Sequence, residues 1–448
     1  MVMGRKIVIR NFGPLKDITV PLNKNLYVVI GQQAVGKSTL SKAIYFCRQI
    51  RDYLKDYARE ILSRNIYGEY WENFLRFLRT PFMGCFGTTK HMDSFEIQYF
   101  YDYDNSSSGT ERSVRITLGK KGFVNFVFND NLKEEIRRLL EEVLDCRDRP
   151  SQNSLDSFRE EQDFLALFAR ECDNVFRDDE RLLYIPAGRN LLATIPDLIG
   201  SRFGSTQITV NGVDIRQLDL VTQEFTEHIR HIRGRFGARL GEIIENYLKT
   251  VRGQIPNKDV ELARDLIRQI LKGEYVFDRE FEKLYYQDNK WIKFMFASSG
   301  QQEILWALNS IFLLILQREK TFLIFEEPES HLFPDAQEQI ARLIALLINS
   351  NGSEVFVTTH SPYMLTAFNL LAYSGQVEKE KTGRSSVVER QFRIKNKTMM
   401  AYYIQGSKER MVSLMEDGLI KALEIDKISN VINDKMDQIQ DAEFAKEG

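Results

Sequence analysis

Leu26-Tyr27-Val28-Val29-Ile30-Gly31-Gln32-Gln33-Ala34-Val35-Gly36-Lys37-Ser38-Thr39-Leu40 carries the decision about the fold. Its first five residues form an apolar run of strand-forming types, and Gly31 to Ser38 fit G-x-x-x-x-G-K-[ST] at every fixed position. Leu40, Ala43, Ile44 and Cys47 then recur at helical spacing, so a helix is expected directly after the turn. Strand, glycine-bearing turn and helix in that order are the context in which the motif works. The glycines let backbone N–H groups curl around phosphates, and the helix N-terminus adds positive potential. Lys37 reaches the terminal phosphates and Ser38 offers its hydroxyl to Mg2+. Gly31, Gln32, Gln33, Ala34, Val35, Gly36, Lys37, Ser38 and Thr39 are therefore the expected nucleotide contacts, with ATP and Mg2+ the expected ligands.

Further along, the apolar strand Thr321 to Phe325 ends on Glu326-Glu327. Carboxylates at the C-terminal end of a central strand emerge beside a phosphate loop. Glu326 is expected to hold the Mg2+ shell, and Glu327 to polarise the attacking water as general base. Just upstream, Ser298-Ser299-Gly300-Gln301-Gln302 opens a helix whose Ile304, Leu305, Leu308, Ile311, Phe312 and Ile315 share a face. Such a turn grips phosphate with its hydroxyl and helix-end amides. His360 follows a second buried strand, Val355 to Thr358, where an imidazole can sense a γ-phosphate. Lys37, Glu327 and His360 are the expected catalytic residues, and Ser38 and Glu326 the expected metal contacts.

The rest of the chain bounds this reading. With 448 residues, 43% hydrophobic and 28% charged, the chain has the make-up of a folded protein of two or three domains' length. A formal charge of −2 confines any nucleic-acid surface to a local patch, and the one concentration of cations is His228 to Arg239, HIRHIRGRFGAR. Cys47, Cys85, Cys146 and Cys172 are far apart without C-x-x-C pairing, which reads as reduced thiols in a cytoplasmic protein. The N-terminus lacks a signal-peptide h-region, and no apolar run approaches the roughly 18 residues that span a bilayer, so no membrane segment is expected.

The periodicity gives an α/β fold with a mixed, largely parallel sheet core and helical insertions. Residues 1–50 and 273–375 form the core. Residues 51–180 form a mainly helical insertion with a β-excursion at SFEIQYFYDYD and a Ser-rich loop at 105–108. Ile136, Leu139, Leu140, Val143 and Leu144 mark one buried helical face in it, and 147–157 reads as a connector. A strand at 181–194 returns to the core, 195–272 is a second helical insertion, and 376–448 is a C-terminal α/β appendage. Residues 15–25 read as a polar stretch after Gly13-Pro14. Residues 274–296 read as a hairpin turned at Asp288-Asn289, and SVVERQFRIKNKTMMAYYI as strands followed by a helix from Gly418.

The ordered set IVIRNFGPL, GQQAVGKST, SSGQQ, EEPESHLFP and TTHSP resembles the soluble ABC-type ATPases of the overcoming-lysogenisation-defect group and their bacterial anti-phage relatives. Those relatives include the ATPase subunits of the Septu and PARIS defence systems and of some retrons. The resemblance implies an ABC-type P-loop ATPase head in which Lys37, Ser38, Glu326, Glu327 and His360 serve one nucleotide in cis. Ser299 and Gly300 serve the partner's nucleotide in trans, and Arg10 and Asn11 lie near the base or ribose. The turn reads SSGQQ where transporters show LSGGQ, so Gln301 replaces a glycine. The glutamine of the Q-loop has no clear place in the sequence; YIPAGR at 184–189 resembles a segment of this group and offers Arg189 as a candidate for that place. Overcoming-lysogenisation-defect enzymes add a Toprim nuclease with a D-x-D motif. The 88 residues after His360 contain none, so a nuclease of HNH or Toprim type is expected on another chain. The expected partners are thus a second copy joined head to tail, that nuclease and a phage-derived trigger; the 228–239 cluster reads first as a solvated helix face, with contact to nucleic acid or a partner protein as its alternative. The function that follows is an ATP-hydrolysing sensor subunit of a defence complex. An SMC-type DNA-maintenance ATPase and a nucleotide-locked scaffold with very slow turnover stay open beside it.

Overall fold

The structure is a computed structural model that describes residues 4–63, 68–103, 111–119, 122–148, 154–189, 209–210, 213–214, 218–251, 257–278, 281–287, 290–377, 387–395, 397–405 and 410–421. In chain order, β1 (Gly4–Phe12), β2 (Leu15–Leu22) and β3 (Leu26–Gly31) lead into helix α1 (Lys37–Ser63). Helices α2 (Tyr70–Phe77) and α3 (Arg79–Phe86) follow, then β4 (Glu96–Tyr103), β5 (Arg112–Leu118) and β6 (Val124–Phe128). Next come α4 (Asp130–Arg147), α5 (Ser154–Phe176), β7 (Arg181–Ile185) and a two-stranded ribbon, β8 (Thr209–Val210) with β9 (Val213–Asp214). Helices α6 (Leu220–Arg233), α7 (Leu240–Thr250) and α8 (Asn257–Leu271) precede a small sheet of β10 (Glu274–Phe277), β11 (Glu282–Gln287) and β12 (Lys290–Lys293). The chain closes its core with α9 (Ser299–Gln317), β13 (Thr321–Glu326), α10 (Pro334–Asn351), β14 (Glu354–Thr359), α11 (Pro362–Val377), β15 (Met399–Gln405) and β16 (Arg410–Ser413).

One 11-stranded sheet organises these elements, in the order β6-β5-β4-β1-β2-β16-β15-β3-β14-β13-β7. From β15 to β7 neighbouring strands run parallel, and from β6 to β2 they run antiparallel. The parallel half is apolar on both faces because helices cover both. Leu26, Val28 and Ile30 of β3 point into the core built with α9, α10 and α11. Tyr27 and Val29 point into the opposite core built with α1, and β13 divides likewise, Leu323 and Phe325 against Phe322 and Ile324. The helical face expected at 136–144 lies in that second core, with Ile136, Leu139, Leu140 and Val143 buried and Leu144 packed against them.

The fold is the α/β class read from the sequence, with several local differences. The polar stretch after Gly13-Pro14 is strand β2, whose Leu15, Ile18, Val20 and Leu22 are buried while the residues between them meet solvent. The β-excursion is three strands, β4 to β6, that extend the main sheet from the edge of β1. Helix α1 runs unbroken through residue 50. Residues 274–293 make three strands in a sheet of their own, and the Asp288-Asn289 turn lies outside the described residues. The presumed C-terminal appendage supplies β15, which lies against β3 in the middle of the sheet. Arg390–Phe392 is a 3-10 turn, where SVVERQF reads as strand. Leu419–Ile420 is a short strand where the sequence suggests the start of a helix; the remainder of that segment, the Ser-rich loop and residues 149–153 of the 147–157 connector lie outside the described residues, while 147 ends α4 and 154–157 begin α5.

Candidate nucleotide site

The loop from Gly31 to Thr39 joins the central strand β3 to α1, at the C-terminal ends of the parallel strands. Gly36 has φ 98°, and a Cβ there would sit 2.6 Å from Leu15 Cδ2, so both conformation and space demand glycine. Ala34 is also left-handed, at φ 61°. Val35 anchors the loop in the core while Gln32, Gln33, Ala34 and Ser38 face solvent. Lys37 is only 6% exposed, and its Nζ donates to the Gly31 and Gln32 carbonyls at 3.0 and 2.8 Å. Burial lowers the Lys37 pKa, against the pull of Glu327, Glu329 and Glu326, which favours the charged form. The ammonium thus closes a ring over a loop whose open side faces the three carboxylates, and this fits a cradle for a triphosphate.

The β1–β2 turn braces the loop. Pro14 and Leu15 leave no room for a side chain at Gly36, where an added Cβ would meet Pro14 Cγ at 2.9 Å, and Asn11 is left-handed at φ 52°. Arg10, expected near base or ribose, forms an exposed ion pair with Glu96 on β4 at 2.8 Å.

Glu326 and Glu327 are neighbours with opposite environments. Glu326 is 4% exposed, and both its oxygens are engaged: Oε1 accepts from Ser41 Oγ at 3.0 Å, and Oε2 from the Ala187 N–H at 3.1 Å. The Ser41 hydroxyl also lies 2.8 Å from the Tyr184 hydroxyl. Glu327 leaves the strand at φ 43°, its N–H donating to the Thr358 carbonyl. Its carboxylate is half-exposed, with Oε1 3.3 Å from His360 Nε2 and Oε2 3.4 Å from Ser330 Oγ. His360 is placed by Glu329, whose Oε1 accepts from the Thr359 hydroxyl at 2.7 Å and the His360 N–H at 2.6 Å. The fold therefore brings Lys37, Glu326, Glu327 and His360 together at the ends of three adjacent strands. Ser41 and Glu329 were not foreseen, although Ser41 stands one helical turn after Ser38 on the face toward the sheet.

The SSGQQ turn begins α9, with Ser298 as N-cap. Its hydroxyl accepts from the Gln301 N–H, and Gln301 Oε1 accepts from the Ser298 N–H at 2.9 Å, closing a capping box. Gln301 Nε2 also donates to the Leu271 carbonyl at 2.6 Å, so the residue that replaces a glycine ties the turn to α8. Ser299 is exposed. Gly300 is buried, because a Cβ there would sit 2.4 Å from the His331 carbonyl oxygen. The helix start thus rests on the turn that follows Glu327.

Arg189 corrects the Q-loop expectation: it is 2% exposed and its guanidinium is spent on carbonyls inside the protein. It donates to the oxygens of Pro186, Glu326, Glu327 and Glu303 at 2.8, 2.6, 3.0 and 3.2 Å. The 228–239 cluster is likewise no continuous cationic stripe. His228 is held between Arg181 at 3.2 Å and Ser310 at 3.0 Å, and burial with the Arg181 charge pushes its pKa down to about 3. Arg233 pairs with Glu282 at 2.8 Å, Arg230 with Glu227, and Arg239 lies over the Tyr285 ring. The four cysteines are free; Cys47, Cys85 and Cys172 are buried and Cys146 half-buried. Among the described residues no helix is long and apolar enough to cross a membrane, and no group of three or more His, Cys, Asp or Glu side chains comes together as for a metal ion.

A glycine-lysine loop after a central strand, paired glutamates on the next parallel strand but one, and a histidine on the strand between them have the arrangement of a P-loop nucleotide site. Residues 26–366 match the family described as "AAA domain, putative AbiEii toxin, Type IV TA system", and the chain belongs to that family. Among curated proteins, it is similar to Protein ea59 of Escherichia phage lambda, 32% identical over 90 residues. That match takes in 20% of this chain and 17% of ea59. Among solved structures, the SMC head domain from Thermotoga maritima is 11% identical, with 93% of this chain and 100% of that one covered and a TM-score of 0.36. The Smc head with an extended coiled coil bound to the C-terminal domain of ScpA, from Pyrococcus furiosus, is 12% identical, with coverages of 97% and 99% and a TM-score of 0.39.

Proposed function

We propose that the chain binds and hydrolyses ATP in composite sites shared by two copies arranged head to tail. Lys37 leaves its own loop carbonyls for the β- and γ-phosphates, and the amides of Gly31 to Thr39 take the remaining oxygens. Mg2+ supplies charge neutralisation between the phosphates when bound; Ser38 and Glu326 would hold it, with phosphate and water completing an oxygen shell. Glu327 accepts a proton from water, His360 meets the γ-phosphate, and Ser299 with the Gly300 amide closes over the partner's nucleotide. The observation that carries this reading is the contrast between the two glutamates: Glu326 is locked by Ser41 and Ala187, whereas Glu327 presents a half-exposed carboxylate beside His360. Glu327→Gln should keep ATP affinity within about twofold and lower kcat by at least about 100-fold, with ATP-dependent dimers accumulating. Unchanged turnover would remove Glu327 from the mechanism.

We further propose that this ATPase is the sensor subunit of a bacterial anti-phage complex that holds a separate effector nuclease, of HNH or Toprim type, until a phage-derived trigger arrives. Support comes from the ordered motif set, from a family description that names a toxin and a toxin–antitoxin system, and from the stretch similar to a phage lambda protein. Co-expression with its genomic neighbours should yield a co-purifying nuclease and protection against phage that Lys37→Ala abolishes. Hydrolysis stimulated by DNA, with the steep salt dependence of phosphate contacts and no co-purifying nuclease, would favour the DNA-maintenance reading instead.

A further inference from the structure

Arg189 and Glu303 are a buried pair that the nucleotide chemistry does not use. Their side chains are 1% and 3% exposed, with Arg189 Nη2 3.7 Å from Glu303 Oε1. Glu303 lies in the first turns of α9, four residues after Ser299. Its other oxygen faces His331 Nε2 at 3.4 Å, on the turn where the Gly300 backbone packs against the His331 carbonyl. Through Arg189, that turn of α9 is bonded to the carbonyls of Glu326 and Glu327, the two peptides that aim the metal and base carboxylates. The Glu327 peptide, at φ 43°, is held by Arg189 and the Ser330 N–H on its carbonyl and by the Thr358 carbonyl at its N–H, so a shift of Arg189 changes one of the few contacts that fix it.

We propose that Arg189 and Glu303 are positioning residues that relay the state of the SSGQQ turn to Glu327, so that gripping the partner's nucleotide sets the alignment of this chain's own base. The inference rests on the composite-site reading above. Closure of the turn over a phosphate in trans shifts the start of α9 and, with it, the Glu303 carboxylate. Arg189 cannot follow without moving the two carbonyls it holds. A guanidinium suits this task because its planar fork serves several acceptors at once; a lysine ammonium cannot span them. Each site thereby reports its occupancy to the other, and hydrolysis should be cooperative in ATP.

The test is steady-state ATP hydrolysis by the full chain and by Glu303→Gln and Arg189→Lys, with ATP affinity measured separately. The wild type should show a Hill coefficient well above 1. Both variants should bind ATP within about twofold of wild type, lose about 30- to 100-fold in kcat, and fall to a Hill coefficient near 1. Retained kcat and cooperativity in either folded variant overturns the relay, as does a non-cooperative wild type. A wild type that does not hydrolyse ATP at all overturns the ATPase reading instead. Hydrogen exchange on the wild type needs no variant: a non-hydrolysable ATP analogue should protect residues 300–304 and 326–328 together. Protection of the first segment without the second contradicts the proposal.

Discussion

Glu327 sits in a backbone conformation that costs a non-glycine residue about 1–2 kcal/mol, immediately after a strand whose other residues are all buried. The strain places the carboxylate beside His360 and turns its own carbonyl toward Arg189. Glu327→Gly should therefore raise stability by about 1 kcal/mol, read as a higher urea midpoint, while abolishing hydrolysis; a loss of stability would show that no strain is stored there. At this scale the sequence is informative where a residue works through its own neighbours in the chain, as in Gly31 to Ser38 or Glu326-Glu327. Ser41 and Arg189 act across elements about 140 to 285 residues apart, and no local pattern marks such a pairing. Glu329 does stand close to Glu327, but EEPES gives no sign that its carboxylate receives the Thr359 hydroxyl and the His360 N–H.

Between elements, the contact of α9 with the turn after β13 is the tightest at the site, and two adjacent residues separate its roles. Gly300→Ala forces a methyl group against the His331 carbonyl, where the neighbour is backbone and cannot swing aside. Overpacking of this kind costs about 1–3 kcal/mol, so its thermal midpoint should drop together with turnover. Ser299→Ala changes an exposed hydroxyl and should leave the midpoint unchanged while lowering kcat by about tenfold or more. Equal thermal effects would argue that the turn is purely structural. The elements flanking the site were legible because β3, β13 and β14 are apolar on both faces and α9 repeats at helical spacing. Strand β2 escaped because the polar pair Lys16-Asp17 and Pro21 interrupt its apolar alternation, and the place of β15 beside β3 escaped because strand order depends on pairings between distant segments.

Across the whole molecule, a buried ionic cluster at the N-terminal ends of β7 and β14 holds the pole opposite the loop. Arg48 on α1 reaches Asp178 and Glu180 at 2.7 and 2.8 Å, joined by Arg5 from β1, Arg51, and Glu354 at the start of β14. Arg48→Leu would leave two buried carboxylates short of a partner and should cost about 3–5 kcal/mol. Burial raises the Asp178 carboxyl, but Arg48, Arg5 and Arg51 outweigh it and hold it at about 2. Since the unfolded value is about 3.9, the folded state binds fewer protons, and the stabilisation is complete above about pH 4. As pH falls from about 4 to 2, about 2 kcal/mol should be lost, a decline that Asp178→Asn should flatten in acid unfolding curves. The same rigid head must, on this account, meet a second copy to complete its sites. Mixing Lys37→Ala chains with Ser299→Arg chains measures that directly, since each mixed dimer keeps one intact loop facing one intact turn. Neither variant alone should hydrolyse ATP or trap it between chains, and an equal mixture should trap ATP at roughly a quarter of the wild-type level, because half the dimers are mixed and each has one complete site of two, while its turnover stays about 30- to 100-fold below that share because the second site sends no relay. A mixture of folded chains that traps no more ATP than its components would contradict the head-to-tail site.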